Sequence, residues 1–186
     1  MPRTARRCAA ALALACAAVI GLAACSAPSP EALATSSPTA TREPVFSSDE
    51  EALAAAIDAY DEYLAMSVSI ASSGDDFTEL REVTTPDYGE TRIRDLKSFS
   101  AAGLRVSGAY RADSTSIVSR SLLGEAELVT IYTCQDVSGT RILDAEGNDV
   151  TPPDRDLRAP MVVELELTET TGRVSGTELW SGKNFC

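Results

Sequence analysis

The chain has 186 residues and a formal net charge of -12, from 16 Lys+Arg against 28 Asp+Glu, and it contains no histidine. That length suits one domain of ordinary size, and the negative charge makes nucleic acid an unfavourable partner because phosphate backbones repel it. The lack of histidine excludes Ser-His-Asp and Cys-His nucleophile systems and histidine-based metal sites. We therefore expect one acidic domain that does not bind nucleic acid.

The first 24 residues have the pattern of an export signal. Arg3, Arg6 and Arg7 precede an uncharged, mostly apolar run from Cys8 to Ala24. This run is shorter than the roughly 20 residues that a membrane-spanning helix needs, and it ends in small residues, as a signal peptide does before its cleavage site. The sequence therefore predicts a signal peptide over residues 1–24, with a permanent N-terminal membrane helix as the alternative.

Four residues at the end of this run, Leu22, Ala23, Ala24 and Cys25, resemble the lipobox of bacterial lipoproteins. In that family the cysteine thiol receives a diacylglyceryl group, and the signal is cut just before it. The resemblance implies that Cys25 becomes the acylated N-terminus, which attaches the protein to the extracytoplasmic face of the cell membrane. The alternative is a cleaved signal that releases a soluble protein. Loss of three arginines with the signal changes the net charge from -12 to -15.

The cysteine count then leaves one candidate disulfide. Of five cysteines, Cys8 and Cys16 lie in the signal and Cys25 carries the lipid, so Cys134 and Cys186 remain. Two thiols in an oxidising, exported setting favour a disulfide, which over this span stabilises the fold by about 4 kcal/mol in the chain-entropy model. The alternative is a pair of free, buried thiols.

Residues 25–48 are predicted to be a linker between the lipid and the domain. They are rich in Ser, Thr and Ala with four interspersed prolines, and such a segment cannot bury enough apolar surface to order itself. The linker serves either as a tether that lets the domain clear the lipid headgroups or as passive spacing. The folded domain is predicted over residues 49–186.

Three helices are predicted at the start of the domain. Ser48 and Glu51 have the spacing of a capping box, and apolar residues then recur at three- and four-residue steps up to Gly74. The predicted helices cover 49–72, a short stretch that starts at 75–76 and is ended by Pro86, and about 87–102.

After Gly103 the apolar period becomes two, which predicts strands. The segment 126–136 is apolar on both faces and is therefore predicted to be a central strand. A polar loop that contains prolines is expected over 148–160. The other predicted strands cover 104–111, 115–122, 141–143, 161–168 and 173–181.

Helices followed by a mostly antiparallel, curved sheet make an α+β plan. The segments AAAIDAY (54–60), VTIYTCQD (129–136) and DAEG (144–147), together with Trp180 in the last strand, resemble the nuclear transport factor 2-like superfamily. This fold is also called the cystatin-like cone, and the chain is most similar to exported lipoprotein members of the actinobacterial type. The resemblance covers 49–186. It implies a sheet that wraps a helix and leaves a conical cavity, either open to small apolar ligands or filled by side chains.

Enzymes of that superfamily need an acid or a base inside the cone. The helical period places Asp58 and Asp61 off the apolar stripe, so no catalytic residue is assigned and an enzyme is not expected. Large aromatic residues serve either as core or as the lining of the cone, and core is the more common role. The candidates for that lining are Tyr60, Tyr63, Tyr110, Tyr132 and Trp180.

Two acidic clusters are assigned to structure rather than to metal binding. Within 144–149, Gly147 is at the fourth position, and Arg155 lies where an EF-hand has its bidentate glutamate, so a solvated turn is predicted. The cluster 49–51 is explained by a favourable interaction with the helix dipole. We expect neither a metal nor another cofactor.

These observations support three hypotheses. The favoured one is a membrane-anchored, non-catalytic binding or interaction module for a small molecule or an envelope protein that the sequence does not identify. The alternatives are a small cyclase or isomerase that uses a carboxylate in the cone, and a structural component of the cell envelope.

Overall fold

The structure, a computed structural model, describes residues 43–186. Cys25, the signal predicted over 1–24 and most of the predicted linker lie outside the described residues. Among the residues that are described, no helix is both long enough and apolar enough to cross a membrane.

Helix α1, Asp49–Ser73, confirms the first predicted helix and both of its ends. The Ser48 hydroxyl accepts a hydrogen bond from the Glu51 amide, and the Glu51 carboxylate accepts from the amide and the hydroxyl of Ser47. The cap therefore includes one residue more than the predicted box. At the other end Gly74 adopts a φ of 76°, and its amide donates to the Ile70 carbonyl, as in a left-handed helix cap.

A short 3₁₀ helix and a second α-helix follow α1 directly. A 3₁₀ helix covers Phe77–Glu82, and helix α2 covers Pro86–Ala101. Pro86 was expected to end the earlier helix, but it occupies the first turn of α2 instead. At that position a helical amide has no partner within the helix, so the missing N–H of proline costs nothing.

Four antiparallel strands form the main sheet, in the order β2-β3-β5-β6. Because β3 lies between β2 and β5, the prediction of a central strand is confirmed. The strands of this sheet are β2 (Arg111–Leu123), β3 (Ala126–Asp136), β5 (Arg158–Leu167) and β6 (Gly172–Leu179).

A second, small sheet pairs β1, Arg105–Ser107, with β4, Arg141–Leu143. The strand predicted over 104–111 is therefore interrupted, and the interruption lies at Gly108. Its φ is 100°, and a Cβ atom there would lie 2.0 Å from the Gly139 carbonyl oxygen, so only glycine fits. The chain turns at this point and starts β2 in the other sheet.

The core lies between the helices and one face of the main sheet. Val129 and Ile131 of β3, Val163 and Leu165 of β5 and Val174 of β6 are completely buried on that face. Burial of each such side chain contributes about 1.5–3 kcal/mol. The fold is thus α+β, as expected, while the nuclear transport factor 2-like cone stays a prediction.

Candidate functional site

The five aromatic residues singled out from the sequence lie in three different places. Tyr60 and Tyr63 of α1 are buried in the core, where their rings stack with centroids 5.9 Å apart. Tyr110 is half-buried at the edge of the core, between β1 and β2. Tyr132 and Trp180 lie on the other face of the sheet. These last two therefore lie apart from the other three candidates for the lining.

The position of Tyr132 follows from strand alternation. Its neighbour Ile131 points into the core, so Tyr132 points to the outer face of the sheet. There its ring lies 5.1 Å from Trp180 and 5.6 Å from Phe185, measured between centroids. The predicted disulfide between Cys134 and Cys186 is present and holds the C-terminal tail on this outer face.

A chain of hydrogen bonds joins the two long helices to β6. The Arg92 Nε atom donates to the Tyr63 hydroxyl at 3.1 Å, and the Tyr63 and Tyr88 hydroxyls lie 3.1 Å apart. The Tyr88 hydroxyl in turn lies 2.6 Å from the Thr177 hydroxyl. A second nitrogen of Arg92 donates to Asp95 at 2.9 Å. These bonds fix the Arg92 guanidinium at the surface end of the network.

The buried tyrosine hydroxyls stay protonated at physiological pH. Burial raises the pKa of Tyr60, Tyr88 and Tyr110 above the ordinary value for tyrosine. The Tyr60 hydroxyl donates to Gln135 Oε1 at 3.1 Å. Because Tyr60, Tyr63 and Tyr88 all hydrogen-bond to other side chains, they act as core residues that connect helices and sheet.

A surface groove of about 570 Å³ lies beside Tyr110, and we call it the Tyr110 groove. One wall is the second half of α1, and the other is the stretch 109–112. The floor is mainly apolar, with Asp61 and Arg111 as the charged groups at its border. Its lining consists of Asp61, Ala65, Val68, Ser69, Ala109, Tyr110, Arg111 and Ala112.

A smaller cleft of about 230 Å³ lies next to Tyr110 and reaches α2. Its apolar lining includes Leu96, Phe99 and Val106, and the Arg92–Asp95 ion pair is its polar part. Tyr110 lines both hollows, so its ring forms a wall that they share. An apolar groove with a few placed polar groups is the usual form of a ligand site.

Asp61 supplies the carboxylate at the border of the Tyr110 groove. Partial burial raises the pKa of Asp61, and the nearby Asp58 carboxylate raises it further. Both aspartates lie on the exposed side of α1, as their position off the apolar stripe predicted. The Asp61 carboxylate therefore takes up a proton, and the groove becomes less negative, at a higher pH than an unperturbed aspartate would require.

At the opposite end of the domain, a buried carboxylate holds the start of the described chain. Glu127 of β3 is 2% exposed and accepts hydrogen bonds from the Val45 and Phe46 amides at 3.2 and 3.4 Å. Arg120 of β2 donates to Glu127, to the Phe46 carbonyl at 2.8 Å and to Asp49 at 2.7 Å. We call these five residues the tether clamp. Within this clamp Phe46 is buried, although it falls in the predicted linker.

The two acidic clusters of the sequence have local structural roles. The Asp144 carboxylate accepts hydrogen bonds from the Glu146 and Asn148 amides and from the Asn148 side chain, which lowers its pKa. Asp49 and Glu51 both take part in contacts at the start of α1. No group of three or more potential metal ligands occurs within residues 43–186.

The Tyr110 groove and the tether clamp lie at opposite ends of the main sheet. Strand β2 runs from Arg111 at the groove to Arg120 and Leu123 at the clamp. At about 3.3 Å per residue, the 13-residue strand extends for about 40 Å. Helix α1 runs beside it in the opposite sense, from Asp49 at the clamp toward the groove.

Sequence reasoning missed the polar partners that organise both ends. Arg92 borders the apolar stripe of α2, and nothing local shows that it meets Tyr63 of another helix. Glu127 did leave a signal, because it shares its strand face with Val129 and Ile131 and so had to point into the core. An inward glutamate needs a cation as its partner. The hairpin 111–136 contains two arginines, of which Arg111 lies at its far end and Arg120 lies near Glu127.

No protein-family profile and no curated protein matches this sequence. Among solved structures, the chain is similar to the crystal structure of the intermembrane space region of the chloroplast protein ARC6. The TM-score is 0.51 and the sequence identity is 12%, over 70% of this chain and 97% of that one. At this identity the likeness shows a shared α+β fold and carries no function across.

Proposed function

We propose that this protein is a lipid-anchored, extracytoplasmic and non-catalytic binding module that takes its ligand in the Tyr110 groove. The observation that carries the proposal is the placement of the groove about 30 Å, nine residues along β2, from the clamp at which the chain leaves the domain toward Cys25. Because the tether and the groove lie at opposite ends of the domain, the ligand site faces away from the membrane.

The lipobox and the disulfide support the extracytoplasmic part of the proposal. Leu22, Ala23 and Ala24 precede Cys25 behind a basic and then apolar segment, as in bacterial lipoproteins. The bond between Cys134 and Cys186 suits an oxidising compartment. Each observation is independent of the other, since they lie in different parts of the chain.

The disposition of ionisable groups supports binding rather than catalysis. The buried carboxylate of Glu127 is neutralised by Arg120 and lies at the far end of the domain from the groove. At the groove itself, burial raises the pKa of Tyr110 above the ordinary value for tyrosine, so its hydroxyl does not serve as a base. A cyclase or an isomerase would need a carboxylate enclosed with its substrate, whereas Asp61 stands at an open border.

Acylation is tested with Cys25→Ala in the full chain, expressed in a bacterial host that processes lipoproteins. The parent incorporates labelled palmitate and sediments with membranes, and the variant does neither. Cys16→Ala, which changes another cysteine of the same leader, is the matched control and keeps both properties. Palmitate incorporation by the Cys25→Ala variant would contradict the anchor.

The groove is tested by filling it. Ala65 is an exposed residue of α1 that lines the groove, so Ala65→Trp occupies the space without disturbing the core. Ala54→Trp, at an exposed site on the same helix outside the groove, is the matched control. Native mass spectrometry of the chains purified from their own cell envelope should find a species bound to the parent and to Ala54→Trp but absent from Ala65→Trp. An identical species on all three would place the ligand elsewhere.

A further inference from the structure

We propose that the tip of the β2–β3 hairpin, formed by Leu122 and Leu123, inserts into the surface of the lipid bilayer beside the acyl anchor. This inference rests on the lipid anchor of the proposed function. It adds that the domain has a fixed orientation on the membrane, with the hairpin tip down and the Tyr110 groove facing outward.

The tip is narrow and carries one leucine on each of its faces, with the exposed Glu125 in the turn between the two strands. Leu123 pairs with Ala126 across a two-residue turn in which Gly124 has a φ of 58°, as the first position of a tight hairpin turn requires. Leu122 pairs with Glu127 and so shares the face of the tether clamp, while Leu123 points to the outer face. Leu122 is 42% exposed and Leu123 is 47% exposed. The hairpin therefore ends in two leucines that nothing in the described chain covers fully.

The tip lies directly beside the point where the chain leads toward the lipid. Pro44, Phe46 and Leu122 line one hollow of about 320 Å³. Residues 26–43 connect this hollow to the acylated Cys25. Because the tether leaves the domain at this hollow, an anchored domain that approaches the bilayer by its tethered end brings the leucines to the surface first.

The chemistry of the tip fits neutral lipid better than a protein partner. A stable protein interface buries on the order of 1,000 Å² or more, which two leucines on a narrow hairpin cannot provide. A bilayer accepts them, since each buried apolar group adds to an anchor that already keeps the domain at the membrane. The positive charge of the neighbouring Arg120 is paired with the carboxylates of Glu127 and Asp49, so it forms no basic patch that would attract anionic lipid. The insertion is apolar, and it weakens as the fraction of anionic lipid rises.

The native chain supplies a reporter for the outward end. It contains one tryptophan, Trp180, which follows β6 at the end of the sheet away from the tip, where its amide donates to the Pro160 carbonyl. In the background Trp180→Phe, the substitution Leu123→Trp places the only tryptophan at the tip. Leu157→Trp in the same background is the matched control, because Leu157 is 52% exposed and lies near Val137 at the outward end.

The full, acylated chains are reconstituted in phosphatidylcholine vesicles that carry a doxyl quencher just below the headgroups. We expect strong quenching of the tryptophan at position 123 and little quenching of the tryptophan at 157 or of native Trp180. In an otherwise native chain, replacing both tip leucines with asparagine should raise the rate of protease cleavage within residues 26–43 on vesicles by about tenfold, since the tip then no longer holds the tether against the bilayer.

Failure of this inference is distinguishable from failure of the anchor. Flotation of the vesicles reports whether each chain is attached through Cys25. If the chains float but the tryptophan at 123 is quenched no more than the one at 157, the domain does not dock by its tip and the inference is wrong. If the chains do not float, the anchor itself is refuted, and the docking inference falls with it.

Discussion

The tether clamp gives the sharpest prediction of stability, through the substitution Glu127→Gln. Glu127 is 2% exposed and Arg120 is 16% exposed in its side chain, so their ion pair is shielded from water. Glutamine keeps the shape of the Glu127 side chain but removes its negative charge. Its NH₂ group is a donor, and it would face the Arg120 guanidinium and the backbone amides that donate to the carboxylate. We therefore expect Glu127→Gln to lower the free energy of unfolding by about 2–3 kcal/mol.

The magnitude follows from what the substitution leaves behind. Breaking a buried ion pair costs about 3–5 kcal/mol when the remaining charge has no partner. Here Arg120 keeps its contacts with Asp49 and the Phe46 carbonyl, which lowers the cost. A single charge-assisted hydrogen bond contributes about 1.5–3 kcal/mol, in agreement with the lower figure. Glu164→Gln, at an exposed position of β5, is the matched control and should change stability by less than about 0.5 kcal/mol.

The assay is equilibrium unfolding in urea, followed by the fluorescence of Trp180. A double-mutant cycle with Arg120→Met separates the pair interaction from the loss of each side chain, and a coupling of at least about 1 kcal/mol is expected. Limited proteolysis should also show earlier cleavage near Phe46 in Glu127→Gln, because the Val45 and Phe46 amides lose their acceptor. Equal stability of Glu127→Gln and Glu164→Gln would refute the clamp.

Three further predictions concern other parts of the domain. Thiol titration of the oxidised, unfolded domain should find neither Cys134 nor Cys186 free, and replacing both with serine should lower the free energy of unfolding by about 4 kcal/mol, as measured in urea. Ser48→Ala removes the acceptor for the Glu51 amide and should cost about 1 kcal/mol, whereas a neutral result would show that Ser47 suffices as the cap. Asp61→Asn should stabilise the protein at neutral pH, because a pKa raised in the folded state means that the charged carboxylate disfavours folding. That gain is complete above the folded pKa of Asp61 and disappears below its unfolded value, so a gain that grows toward acidic pH would contradict the assignment.

The elements that the sequence predicted well are those with a local cause. The capping pattern of Ser48 and Glu51 and the left-handed cap at Gly74 both depend on residues within one turn of the helix end, and helix α1 has the predicted bounds within one residue. The central place of β3 followed from apolar residues on both of its faces. Where the predicted strand over 104–111 is divided, a distant part of the chain is involved, because the Gly139 carbonyl approaches Gly108 so closely that only glycine fits there.

The candidate site was less predictable, because its residues come together only through packing. Tyr110 was a candidate from the start, but the sequence did not show that α1 would supply the facing wall through Ala65 and Val68. Tyr132 and Trp180 were candidates either for the core or for the lining of the cone, since period-two alternation gives two faces without saying which one the helices cover. The helices pack on the face that carries Ile131, and the register of β3 with β2 and β5 extends that choice to the neighbouring strands.

The sequence by itself determined the α+β order of elements, the surviving pair of cysteines and the acidic character of the chain. Each of these depends on composition or on periods of a few residues. Only the tertiary structure decided that Glu127 would hold Phe46, 81 positions away, and that the groove and the tether would lie at opposite ends of β2. The physical reason is that a buried charge or a groove wall is specified by its partner, and the partner is chosen by the pairing of the strands and the seating of α1 across them.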